Sequence, residues 1–196
     1  DILRSQERFE EAIKEYDIAL KNVSDNTTTD WFLYFVRGIC FEKINEWSKA
    51  EVDFIKALEL NPNEPQVLNY LGYSWIDRGM FIEKARGMIE EAVKQSPTDG
   101  FIIDSLGWVQ FLMSEYEEAV INLEKAVKLQ PEDSTLNNHL GDVYWMLGRR
   151  LEAKFQWNHA LVMGPDEDEL EPLKQKLSYG LMGMEAKINS FKKVNE

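Results

Sequence analysis

Apolar residues recur every three to four positions along most of the chain, in blocks broken by short polar or Gly/Pro-marked stretches. That spacing predicts amphipathic helices over about 30–43, 47–60, 65–78, 83–95, 100–113, 116–129, 134–147 and 150–163. The blocks are themselves periodic. Ala12, Ala50, Ala85, Ala119 and Ala153 follow one another at intervals of 38, 35, 34 and 34 residues, each with a second alanine seven residues on. A fixed period near 34 marks helix–turn–helix units that cannot bury their apolar faces alone and stack on their neighbours.

Other positions hold the same register. Gly38, Gly72, Gly107 and Gly141 fall inside the first helix of successive units, and Pro62, Pro97, Pro131 and Pro165 follow the second. Glycine inside a helix costs about 1 kcal/mol against alanine, so four in register imply close helix–helix approach. Each proline stops a helix and turns the chain into the next unit.

These marks resemble the tetratricopeptide repeat. The residues that carry the resemblance are Tyr34, Gly38, Phe41, Ala50, Phe54, Ala57 and Pro62, then Leu68, Leu71, Gly72, Trp75, Ala85, Ala92 and Pro97. They continue with Leu106, Gly107, Ala119, Leu123, Ala126 and Pro131, and with Leu140, Gly141, Tyr144, Ala153, Trp157, Ala160 and Pro165. The fold this implies is all-α, a right-handed superhelical solenoid of antiparallel helix pairs. The expected organisation is one solenoid over 1–180, with a half repeat at 1–23 and full repeats at 31–64, 65–99, 100–133 and 134–167. A capping helix at 168–180 follows, opened by Glu167, Asp168 and Glu169 in accord with the helix dipole, and then a tail at 181–196 whose apolar spacing permits helix.

The half repeat aligns its helix, at about residues 6–22, with a second helix, leaving Asp1 to Ser5 for the end of its partner. An apolar end of this kind is expected to belong to a longer array, or to self-associate through Phe9, Ile13 and Tyr16. The first interval's surplus falls in the polar stretch 24–30, a surface loop before the helix at Trp31. The single surplus residue of the third unit falls between Arg78 and Ile82.

Charge narrows the partners. With 22 Lys and Arg against 35 Asp and Glu, the net charge of −13 opposes binding to a phosphate backbone. No stretch approaches the length of apolar residues needed to span a membrane. Cys40, the single cysteine, reads as a small buried side chain.

Catalytic and metal chemistry find no motif. His139 and His159 lack the spacing of a ligand pair, Gly141 to Gly148 lacks the Lys-Ser/Thr of a phosphate loop, and Ser74 and Ser105 lack a nucleophile elbow. Neighbouring carboxylates such as Glu117 and Glu118 do not face each other on a helix. Two glycosylation sequons, at Asn22 and Asn26, are too short to carry weight. No cofactor, no metal and no catalytic residue is expected.

The resemblance implies instead that the first helix of each unit lines a concave groove that binds protein. Carried onto this sequence, the lining positions include Phe32, Asn69, Tyr73, Phe101, Asp104, Trp108, Asn138, Asp142 and Trp145. Of these, Asn69, Tyr73, Asp104, Trp108, Asn138, Asp142 and Trp145 form the expected site, with aromatic anchors beside a polar row. Only Lys43 is basic among the lining positions, which departs from the cationic clamp that grips chaperone C-termini. A neutral or basic peptide or helix is therefore the expected partner. The strings Asn69–Trp75, Asp104–Trp108 and His139–Trp145 are similar to the C-terminal repeats of Gram-negative bacterial tetratricopeptide proteins, some of them exported or outer-membrane lipoprotein adaptors. That would place the chain on the periplasmic side of an envelope, with a cytoplasmic adaptor as the alternative. An accessory region of a larger enzyme or of an envelope-assembly protein is the alternative to a scaffold.

Overall fold

The computed structural model describes residues 2–22 and 30–181. The Asn26 sequon, the last two residues of the Asn22 sequon, most of the 24–30 loop and tail residues 182–196 lie outside the described residues. All regular structure among those described is helical. The helices are α1 (Ile2–Ser5), α2 (Phe9–Asn22), α3 (Trp31–Lys43), α4 (Trp47–Leu60), α5 (Pro65–Asp77), α6 (Ile82–Gln95), α7 (Gly100–Leu112), α8 (Tyr116–Leu129), α9 (Ser134–Met146), α10 (Arg150–Met163) and α11 (Glu167–Tyr179). The eight full-repeat helices start and stop within one residue of the periodicity's placement. Two differences are small and explained. The helix of the half repeat begins at Phe9 rather than residue 6, because Glu7 adopts a left-handed φ of 58°, and α11 begins at Glu167.

The chain forms two compact units, residues 1–71 and 72–196, which divide within α5. In the first, α2 packs on α3 and α3 on α4. Ala12, Ile13 and Cys40 are buried together, with Leu3, Phe9, Tyr16, Phe41 and Ile44 against them. Of the residues expected to be bare at this end, Ile13 is buried and Phe9 and Tyr16 are partly buried, while Ile2 and Ile18 are exposed. Arg37 fastens the three helices: its guanidinium donates twice to Asp53 of α4 at 2.7 Å and once to Asp17 of α2 at 2.6 Å. Burial pushes the Asp53 carboxyl up even so, because desolvation outweighs the two Arg37 bonds.

In the second unit α7 pairs with α8 and α9 with α10, while the end of α5 meets α6 at Gly72. The in-register glycines are close approaches in both units. A Cβ on Gly38 would lie 2.6 Å from Phe54, on Gly72 3.0 Å from the Ala85 carbonyl, on Gly107 2.6 Å from Leu123, and on Gly141 inside the Trp157 ring contact. α7 is apolar nearly all round, and twelve of its thirteen residues are buried.

The turn inside each unit carries a second register. Glu7, Asn45, Gly79, Ser114 and Gly148 all take left-handed φ, between 58° and 78°. That conformation favours glycine, yet only two of the five are glycine. The surplus residue of the third unit shows as Phe81, which also turns left-handed at φ 46° and packs on Trp75 at 5.1 Å.

Candidate functional site

The expected site residues fall in both units. Asn69, in the first, is half-buried, and its side-chain oxygen has no hydrogen-bond partner. The other six lie in the second unit, where α7, α9 and α11 present the same helical positions one period apart.

Asp104 on α7 is 4% exposed and meets His139 on α9, with Oδ2 2.9 Å from the imidazole Nδ1. His139 stacks on Trp108 at 4.0 Å between centroids, and Trp108 stacks on Phe111 at 5.0 Å. Trp108 is 8% exposed and packs between α7 and α9. The second oxygen of Asp104, Oδ1, is buried without a partner. Tyr73, half-buried on the end of α5, has its phenol pushed up by burial and further by the charges of Asp104, Asp77 and Glu169.

Asn138 and Asp142 on α9 are also buried, and a residue of α11 holds them. Lys176 donates to Asn138 Oδ1 at 2.8 Å and to Asp142 Oδ2 at 2.7 Å, while the Trp157 indole donates to Asp142 Oδ1 at 2.8 Å. Thr135 donates to Glu169 at 3.5 Å. Burial pushes the Glu169 carboxyl up, an effect tempered by His139. Trp145 lies under the Arg150 guanidinium at 3.9 Å and beside Trp157 at 5.3 Å, with Gly180 so close that a Cβ there would strike its ring. The helix dipole and the repeat register together explain α11. Its acids open it, its Leu173 is buried, and Lys176 stands one period after Asp142.

Sequence reasoning passed over His139 and Lys176 as members of the site. The usable signal was spacing. His139 follows Asp104 by 35 residues and Lys176 follows Asp142 by 34, so each partner sits on the next first-type helix near the same position. His159 is also engaged: Asn137 gives both amide hydrogens to the Pro131 and Asp133 carbonyls, which leaves its Oδ1 to accept from the His159 Nδ1–H at 3.1 Å. Among the described residues no group of three His, Cys, Asp or Glu could hold a metal, and no helix is long and apolar enough to cross a membrane.

Two other aromatic side chains of the lining positions are left in water, one in each unit. Phe101 on α7 is 50% exposed and Phe32 on α3 is 49% exposed, and both occupy the second position of a first helix.

A family model described as a TPR repeat matches residues 109–148. A TPR repeat-containing protein of Pseudomonas aeruginosa is 32% identical over 114 residues, 58% of this chain and 18% of that protein, so the match spans a minor part of that relative's length. Among solved structures, PilF of Pseudomonas aeruginosa is similar with a TM-score of 0.71 at 18% identity, over 96% of this chain and 83% of that one. YrrB, described as a TPR protein with an unusual peptide-binding site, has a TM-score of 0.63 at 20% identity, over 89% and 87% of the two chains. Identities this low speak for the fold alone. With the repeat geometry, they show an all-α fold of the tetratricopeptide-repeat type, with the TPR repeat model itself matching residues 109–148. Its architecture is one of protein–protein interaction scaffolds.

Proposed function

We propose that the chain is a non-catalytic adaptor that binds an extended or helical segment of a partner protein along the exposed side of its first helices, as a single run of repeats from residue 1 to 180. The observation that carries this reading is the recurrence of Phe32 and Phe101. Two large aromatic side chains stand about half in water at the same position of their repeats, where they can serve as apolar anchors for a partner segment. The net charge of −13 favours a neutral or basic segment and disfavours nucleic acid. YrrB, a fold relative, has a peptide-binding site, which supports the same use here.

The two histidines support a non-catalytic reading, since His139 is held by Asp104 and Trp108 and His159 by Asn137. The second reading, accessory repeats of a larger enzyme or envelope-assembly protein, draws on the greater length of the Pseudomonas relative.

The test uses the chain as bait to capture a partner, followed by affinity measurement with the purified partner. Phe101→Glu is expected to weaken binding by at least about tenfold, the scale of a buried aromatic anchor. Ile121→Glu, on the exposed side of α8 where the native side chain is 67% exposed, is expected to change it less than about twofold. Equal losses from Phe101→Glu and Ile121→Glu would remove the first-helix face as the site.

A further inference from the structure

α10 differs from the other second helices on the side turned away from its partner helix. Ala153, Trp157 and Ala160 are buried on the α9 side. Leu151, Phe155 and Val162 each stand two residues from one of them, about 200° round the helix, and are 86%, 68% and 69% exposed. The same register positions carry Glu117, Ile121 and Lys128 in α8, Glu83, Gly87 and Lys94 in α6, and Ser48, Val52 and Glu59 in α4. Those helices have a charge or a hydroxyl at both ends of the row, where α10 has leucine and valine. Three large apolar side chains in one exposed row, replacing polar groups that neighbouring repeats keep, mark a surface that something covers.

Charge narrows the occupant. Arg150 and Lys154, four residues apart and both exposed, flank the row on one side. Arg150 is fixed over the Trp145 ring at 3.9 Å and donates to the Trp145 carbonyl, while Glu152, the acid of this turn, is held at 2.8 Å by Arg149. Among the described residues neither Arg150 nor Lys154 pairs with a carboxylate. Two cations without an acid, in a chain of net charge −13, make this the place where an acidic ligand is attracted. We propose that the outer side of α10 binds an amphipathic helix of a partner protein, whose apolar residues meet Leu151, Phe155 and Val162 and whose carboxylates meet Arg150 and Lys154. The row faces away from the first helices and does not depend on the docking face proposed there. Other occupants fit the charge less well. Residues 182–196 carry Lys187, Lys192 and Lys193 against Glu185 and Glu196, the wrong sign for this flank. A second copy, or an anionic bilayer, would meet the repulsion of a net charge of −13.

The experiment titrates the isotope-labelled full chain with a synthetic helical peptide that has leucine at every third or fourth position and glutamates beside them. The same peptide with glutamine or lysine for glutamate, and vesicles of phosphatidylserine and phosphatidylcholine, are run in parallel. Saturable shifts at Leu151, Phe155 and Val162 are expected with the glutamate peptide, at an affinity at least about tenfold above the glutamine peptide and with a margin that narrows in salt. Phe155→Glu is expected to weaken that binding at least about tenfold and Lys154→Glu at least about threefold. Ile121→Glu, at the same register position of α8, is expected to change it less than about twofold. Absence of saturable shifts on α10 overturns the proposal, as do equal affinity for the glutamine or lysine peptide and unchanged binding by folded Phe155→Glu or Lys154→Glu. Vesicle binding that Phe155→Glu abolishes assigns the row to a membrane surface, and a concentration-dependent dimer that Phe155→Glu abolishes assigns it to a second copy; either overturns the proposal. Peptide binding lost in Phe101→Glu but not in Phe155→Glu sinks this inference and leaves the first-helix face standing. Peptide shifts confined to α10, with a captured partner indifferent to Phe101→Glu, do the reverse.

Discussion

Lys176→Met tests how α11 is held. Lys176 is the donor to both Asn138 and Asp142, and the Asp142 side chain is fully buried while that of Lys176 is 15% exposed. Methionine keeps the aliphatic stem and removes the charge. Asp142 is then a buried carboxylate left with the Trp157 indole as donor, a situation that costs about 3 to 5 kcal/mol when one member of a buried pair is deleted. Repeat proteins open region by region rather than all at once, so amide hydrogen exchange is the proper readout. A loss of about 3 kcal/mol predicts exchange in α9, α10 and α11 faster by roughly a hundredfold. Asp142→Asn combined with Lys176→Met removes both charges, and most of the loss is expected to return. An acceleration under about threefold in the single variant, or a double variant no better than the single, would refute the reasoning.

Ser114 takes a left-handed φ of 66° where two other repeats place glycine, so Ser114→Gly is expected to add about 1 kcal/mol of stability; a lower melting temperature would contradict it. In the first unit Tyr70 packs on Phe35 and Phe54, and burial above all pushes its phenol from 10.0 up to about 12. The folded value lies above the unfolded one, so this stability is complete below pH 10 and lost as the pH rises toward about 12. Tyr144, raised in the same direction, adds to that loss, and Tyr70→Phe is expected to shrink it; identical alkaline unfolding profiles for wild type and Tyr70→Phe would sink the claim. Self-association through α1 and α2 rests on Ile2, 73% exposed, and Ile18, 53% exposed. Sedimentation is expected to show concentration-dependent dimers that Ile18→Lys abolishes, and a monomer at all concentrations would refute it.

The helices were legible because 3.6-residue periodicity, the alanine register and the prolines all report the same local event. Gly141 and Trp157 illustrate it: the sequence predicts a close approach at the glycine, and the ring that fills it lies on the paired helix of the same repeat. The left-handed turns were less legible, since Glu7, Asn45 and Ser114 hide what Gly79 and Gly148 announce. The polar site was partly legible. Asp104, Asn138 and Asp142 stand where the repeat register places them, but which of them stay free depends on the next helix. His139 and Lys176 decide that, and their partners lie 35 and 34 residues away, beyond any local pattern. Trp108 and Phe101 exchange expected roles for the same reason, because stacking on His139 buries the tryptophan while the phenylalanine meets no ring.

α7 has a consequence for sequence drift. Phe101 is its single residue outside the buried set, so it has no side on which substitutions are neutral. A change at Val109, Phe111 or Leu112 must be matched by a change in whatever packs against it. The outer side of α10, with Leu151, Phe155 and Val162 in water, is free of that coupling within the chain, whereas its Ala153, Trp157 and Ala160 are buried. Diverging copies of this protein should therefore vary the outer side of α10 one residue at a time and α7 only in concert with its neighbours.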